Sequence, residues 1–256
     1  MADRAGASRS ATEKMVDRVA EDLVHQILLG TISARSHLPP VRRLAEQYEV
    51  NVSTILRVVA QLEALGLVEV RQGSGAVVCD VRSAGGLELF PLMLSAYASD
   101  PDRAGKILAD YLEVRRIVAV NVVQRIFTGA VSLRLGPIEA AVARFDKVLA
   151  SEQRDLRVIA RADGAVTRAV LEQMDQIAMI SIVNLLERMI LGNETLLETL
   201  YREPELSQTA WHRLLVALHD EERPANRLLE VEALIAAVDE GIVRRFVEQL
   251  KEKKGG

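Results

Sequence analysis

Apolar residues recur at helical spacing through most of the chain, and the exceptions cluster in one place. Val16, Val19, Ala20, Leu23 and Ile27 form a stripe that predicts a helix over 13–29, stopped by Gly30. Pro39-Pro40 opens a second helix over about 40–48, with Leu44, Ala45 and Tyr48 inward; proline is tolerated there because the first turn has no N–H partner to lose. After the tight connection "YEVNVST", Ile55, Val58, Val59, Leu62 and Leu65 mark a third helix, capped by Asn51 or Ser53 and stopped by Gly66. Val68–Gln72 and Ala76–Cys79 then read as two strands around "GSG". Beyond 86 the pattern is helical throughout. It predicts helices near 87–97, 101–128, 137–150, 152–173, 175–191, 193–202, 207–220 and 224–252, several of them begun by a proline.

These elements predict a mainly α protein in two parts. Residues 13–79 have the order of a winged helix-turn-helix domain, with the hairpin as the wing. Residues 80–86, "DVRSAGG", read as a linker. Residues 87–252 read as an all-helical bundle, with tails at 1–12 and 253–256.

Composition narrows this picture. The 256 residues are 49% hydrophobic but only 4% aromatic, which suits helices over a β-sandwich. Cys79 is the single cysteine, so an internal disulfide and a cysteine-rich zinc module are excluded, and a reducing interior is the expected setting. Residues 1–11 lack the apolar core of a signal peptide, and no run of about 18 apolar residues predicts a membrane span; the expected location is cytoplasmic. No phosphate-binding glycine loop, nucleophile elbow or metalloprotease motif occurs, so no enzyme activity is expected.

The net charge is −4, and residues 1–80 hold nine Lys/Arg against ten Asp/Glu, so placement rather than composition must carry any nucleic-acid reading. Arg35, Arg42 and Arg43 lie at a turn and at the start of the second helix, where phosphates sit. Asn51, Ser53, Thr54 and Arg57 are expected on the exposed face of the third helix, which is narrow enough for a DNA major groove. Arg71, Gln72 and Gly73 occupy the wing. The competing reading is a helical adaptor whose winged helix contacts protein.

"HLPPVRRLAEQYEVNVSTILRVVAQLEALGLVEVRQGSGAVV" resembles the DNA-binding domain of GntR-family bacterial transcription regulators, through its LPxxRxLA stretch, V-x-x-x-T turn, L-x-x-x-G-L-V helix end and GSG-x-x-V wing. Arg42 matches the family's helix-two arginine. Asn51, Val52 and Leu56 stand where the common pattern has serine and two arginines, and Arg57 comes one step later. Neither Val52 nor Leu56 can reproduce an arginine's bidentate contact with guanine, which sets the operator usual for the fatty-acid-responsive branch in question.

The helical part is similar to the FadR subfamily, through "YLEVRRIVAVNVV" and "RADGAVTRAVLEQM". That resemblance implies a homodimeric, effector-controlled regulator, a repressor in its commoner mode, acting on a palindromic operator. It also implies a metal site of one Asp and three His in many members. Here Asp163 and His212 match two positions, but Thr167 and Leu234 replace the others, so no metal is expected. The metal-free branch implies acyl-CoA as effector, with small organic acids as the competing class. Independently, Arg115 falls on an apolar stripe with Leu108, Leu112 and Val122. Asp163 and Thr167 share another stripe with Ile159 and Val170, and Asn184 and Arg188 lie on a polar line. Polar groups converging inside an apolar bundle describe either an effector site or an internal hydrogen-bond network. The effector-binding candidates are Arg115, Asp163, Thr167, Asn184, Arg188 and His212.

Overall fold

The computed structural model describes residues 2–128, 133–219 and 226–255. It divides into two units, Met1–Ala98 and Ser99–Gly256.

The first unit contains α1 (Ala2–Leu28), α2 (Val41–Gln47), α3 (Val52–Ala64), β1 (Val68–Arg71), β2 (Gly75–Val78), α4 (Val81–Ala84), a 3-10 turn at Leu87–Leu89 and α5 (Phe90–Ala96). Its core follows the apolar stripes: Val16, Val19, Leu23 and Ile27 of α1 meet Leu44 of α2 and Ile55, Val58 and Leu62 of α3, all buried. The two strands pair antiparallel with Val68 opposite Val78 and Arg71 opposite Gly75. The segment before α2 adds to the second strand: Leu38 N–H donates to Ala76 O at 2.8 Å, and Val78 N–H to Ser36 O at 2.8 Å. Gly66 ends α3 at φ +69°, and a Cβ there would come within 2.9 Å of Ala84 O, so glycine answers both a conformational and a steric demand.

Three boundaries differ from the sequence expectation. Helix α1 runs back to Ala2 through the expected tail, whose alanines favour helix. Residues 80–86 are not an open linker: Asp80 caps α4 by accepting from Arg82 N–H. The segment 87–97 belongs to the first unit instead of opening the bundle. Leu89 lies in the first core with Leu92 and Met93 packed against it, and Tyr97 donates its hydroxyl to Leu28 O at 2.9 Å. Helix α5 packs against α1.

The second unit is all-helical among the described residues: α6 (Pro101–Phe127), α7 (Leu135–Leu149), α8 (Leu156–Gln173), α9 (Ile177–Leu191), α10 (Glu194–Tyr201), α11 (Glu205–His219) and α12 (Asn226–Gly255). Helix α6 lies along α12, and α8 packs between α7 and α9. One core joins Phe145, Ile159, Val166 and Leu197; another joins Ile126, Ile138, Val170, Leu171 and Leu218. Asp100, Asp155 and Asn193 cap α6, α8 and α10 with side-chain oxygens. Helix α12 continues to Gly255, through most of the expected C-terminal tail. No described helix is long and apolar enough to cross a membrane.

Candidate nucleic-acid interface and the polar cluster of the helical unit

The turn between α2 and α3 sets the pose of the third helix. Glu49 takes φ +54°, and Val50 N–H reaches back to Ala45 O at 3.0 Å. Asn51 then caps α3. Its Oδ1 accepts from Thr54 N–H at 2.8 Å, from the Thr54 hydroxyl at 2.8 Å and from the Ser53 hydroxyl at 2.6 Å. These contacts correct one expectation: Thr54 is 3% exposed, not on the outer face. It faces inward because Ile55, Val58 and Leu62 pull that side of the helix into the core, and its hydroxyl finds its acceptor in the cap. Asn51 and Ser53 are exposed, but the Asn51 carbonyl oxygen is committed to the helix end.

The outward side of α3 carries Val52, Ser53, Leu56, Arg57, Ala60 and Gln61. Arg42 and Arg43 are exposed in the first turn of α2, and Arg35 is exposed at φ +67° with its guanidinium 4.0 Å from Asp80. In the wing, Gln72 and Gly73 are exposed at the turn, where Gly73 takes φ +76°. Arg71 is exposed but bonds Glu69 on its own strand at 2.8 Å, which offsets its charge locally. His37 was not foreseen. It bridges to Val77 and lies 3.5 Å from the Ser74 hydroxyl beside the wing turn. Its signal was weak, a lone histidine before the proline pair.

This arrangement can do what a winged helix-turn-helix domain does. It presents a slim helix and a hairpin, with guanidinium groups on exposed turns, to a polyanion. Such domains define a class of nucleic-acid-binding proteins.

Comparison narrows the class. Residues 15–78 match the model of the bacterial regulatory proteins, gntR family, so the first unit carries a GntR-type helix-turn-helix domain. The chain is 41% identical over 68 residues to the uncharacterized HTH-type transcriptional regulator Rv0494 of Mycobacterium tuberculosis, covering 27% of this chain and 28% of that protein. It is 38% identical over 86 residues to the HTH-type transcriptional regulator Mce2R of the same species, covering 34% of each. The match thus spans about a third of these relatives' length. The fold as a whole is similar to a solved structure described as "Lar controls the expression of the Listeria monocytogenes agr system and mediates virulence", at 15% identity and a TM-score of 0.52, over 91% of this chain and 96% of that one.

In the second unit, the effector candidates divide. Arg115 is half-buried on α6 and pairs with Asp239 of α12, 6% exposed. Burial pushes the Asp239 carboxyl above its usual range, against the lowering pull of Arg115. Asp163 on α8 accepts from Trp211 Nε1–H at 2.6 Å and from the Tyr201 hydroxyl at 3.0 Å. Burial raises its carboxyl too, opposed by those two hydrogen bonds and by the charge of Arg115. The Tyr201 hydroxyl is in turn raised well above its ordinary value by burial and by Asp163. Arg168 binds Glu187 and reaches Asn184 Oδ1 at 3.4 Å. Arg115 and Glu187 thus act on Asp163 by charge alone, while Asn184 is tied to Arg168. Thr167 is half-buried one turn beyond Asp163.

Two candidates lie apart. Arg188 is exposed. His212 is also exposed and sits 3.1 Å from both oxygens of Asp146, which Gln208 holds at 2.8 Å. Its turn of α11 points it at α7, while Trp211, one residue earlier, points at Asp163. Trp211, Tyr201, Asp239, Arg168 and Asp146 are partners that the sequence pattern does not mark; Asp239, for one, lies 124 residues from Arg115. Among the described residues, no group of three or more His, Cys, Asp or Glu is placed to hold a metal ion.

Proposed function

We propose that this protein is a GntR-type transcription regulator that binds double-stranded operator DNA through α3 and the wing. The observation that carries the reading is the exposed face of α3, with Arg57 outward and Arg42 and Arg43 exposed on α2, in a unit that matches the family model over residues 15–78. Arg42, Arg43 and Arg35 anchor phosphates, Arg57 meets base edges, and Gln72 and Gly73 bring the wing to the backbone. The protein acts in the cytoplasm as a homodimer on a palindromic site, as a repressor of the FadR type. Its helical unit takes a small-molecule effector, acyl-CoA or an organic acid, near Arg115 and Asp163. Such a ligand shifts DNA affinity only by preferring one conformation of the protein.

Binding of the full-length protein to duplex DNA from upstream of its own gene, measured over a salt series, tests the central claim. Affinity that falls steeply as salt rises, with preference over random duplex, is the expected result. Absence of binding to any duplex at low salt overturns it.

A further inference from the structure

From the outward row of α3 we infer that this helix reads thymine methyl groups through Val52 and Leu56; the inference rests on the DNA-binding reading above. The polar candidates at the head of α3 are largely engaged with one another. Asn51 Oδ1 accepts from Thr54 and Ser53, and Thr54 is buried. What remains outward is a pair of rows. Val52, Leu56 and Ala60 follow at four-residue steps, and Ser53 and Arg57 run beside them.

Val52 is 44% exposed and Leu56 is 54% exposed. Single exposed aliphatic side chains are ordinary on a protein surface. Two stacked one turn apart on the outer row of the helix that faces the groove form a continuous apolar strip, with the small Ala60 extending it. The core does not need them, because Ile55, Val58, Val59 and Leu62 already fill the inner face. The major groove offers such a strip one apolar partner, the C5 methyl of thymine. Arg57, in the adjoining row, is placed to take a guanine edge or a phosphate next to it. The operator is therefore one in which thymines face Val52 and Leu56.

The test separates this inference from the reading beneath it. The full-length protein selects its tightest duplexes from a randomised pool, and each thymine of the selected duplex is replaced singly by deoxyuridine, which removes only the methyl. Affinity is read by fluorescence anisotropy. At least one uracil replacement weakens binding roughly fourfold, the factor expected for one buried methyl-sized group. Leu56→Ala or Val52→Ala abolishes the difference between thymine and uracil at that position, because the thymine duplex loses more affinity than its uracil counterpart. Both side chains are exposed, so neither change disturbs the core. If every uracil duplex binds like its parent, or the difference persists in both variants, the inference falls while DNA binding stands. If the wild-type protein binds no duplex at all, both fall together.

Discussion

A single side chain, Asn51, ties the start of α3 together, since its carbonyl oxygen serves the backbone and hydroxyl of Thr54 and the hydroxyl of Ser53. Asn51→Ala removes the cap and leaves the buried Thr54 hydroxyl without that acceptor; a loss of about 1 kcal/mol is expected, read by denaturant unfolding. Arg57 makes a different claim. Arg57→Ala lowers the ratio of operator to random-duplex affinity, and an unchanged ratio in competition binding would remove it as a base reader. Tyr48 carries a pH signature. Its hydroxyl donates to Asp22, and its pKa is pushed up to about 12 by burial first and then by that bond and charge. A folded-state pKa above the ordinary 10 means stability that is present below pH 10 and lost as pH climbs through 12. The melting-temperature gap between wild type and Tyr48→Phe accordingly narrows over that window. The change is small because the side chain is only half-buried, so solvent screens part of the effect.

At the level of elements, periodicity located the strands and most helices of both units. It failed where an element's partner lay elsewhere in the chain. The "AGG" before Leu87 reads locally as a break, yet Leu89, Phe90 and Leu94 are buried in the first unit. The contact of α6 with α12 is of the same kind. Gly105 looks like a flaw in a helical pattern, but a Cβ there would come within 2.3 Å of Val247 Cγ2. Gly105→Ala therefore lowers the melting temperature despite alanine's better helix propensity, because overpacking costs about 1–3 kcal/mol against a gain of about 1. Gly136, in α7, has nothing within 4 Å of such a Cβ. Gly136→Ala should leave stability equal or higher, so the pair isolates packing from propensity in one thermal-shift experiment.

For the molecule as a whole, no group of three or more His, Cys, Asp or Glu among the described residues is placed to hold a metal ion, and Asp163 is bonded instead to Trp211 and Tyr201. Removing divalent ions with a chelator is expected to leave the melting temperature unaltered; a marked drop would restore a metal to the helical unit. The winged helix was legible from the chain because its evidence is local: apolar spacing, a proline pair, a capping residue and glycines at turns all lie within about 65 residues. What only the tertiary structure decided is which polar groups are spent and which are free. Thr54 and the Asn51 oxygen are turned to the helix cap, Arg71 to Glu69, Arg115 to Asp239 and His212 to Asp146. Periodicity assigns a residue to a face of its own helix. Whether a charge on that face meets a partner depends on another segment brought alongside by packing, and the energy of that meeting leaves no mark in the local sequence.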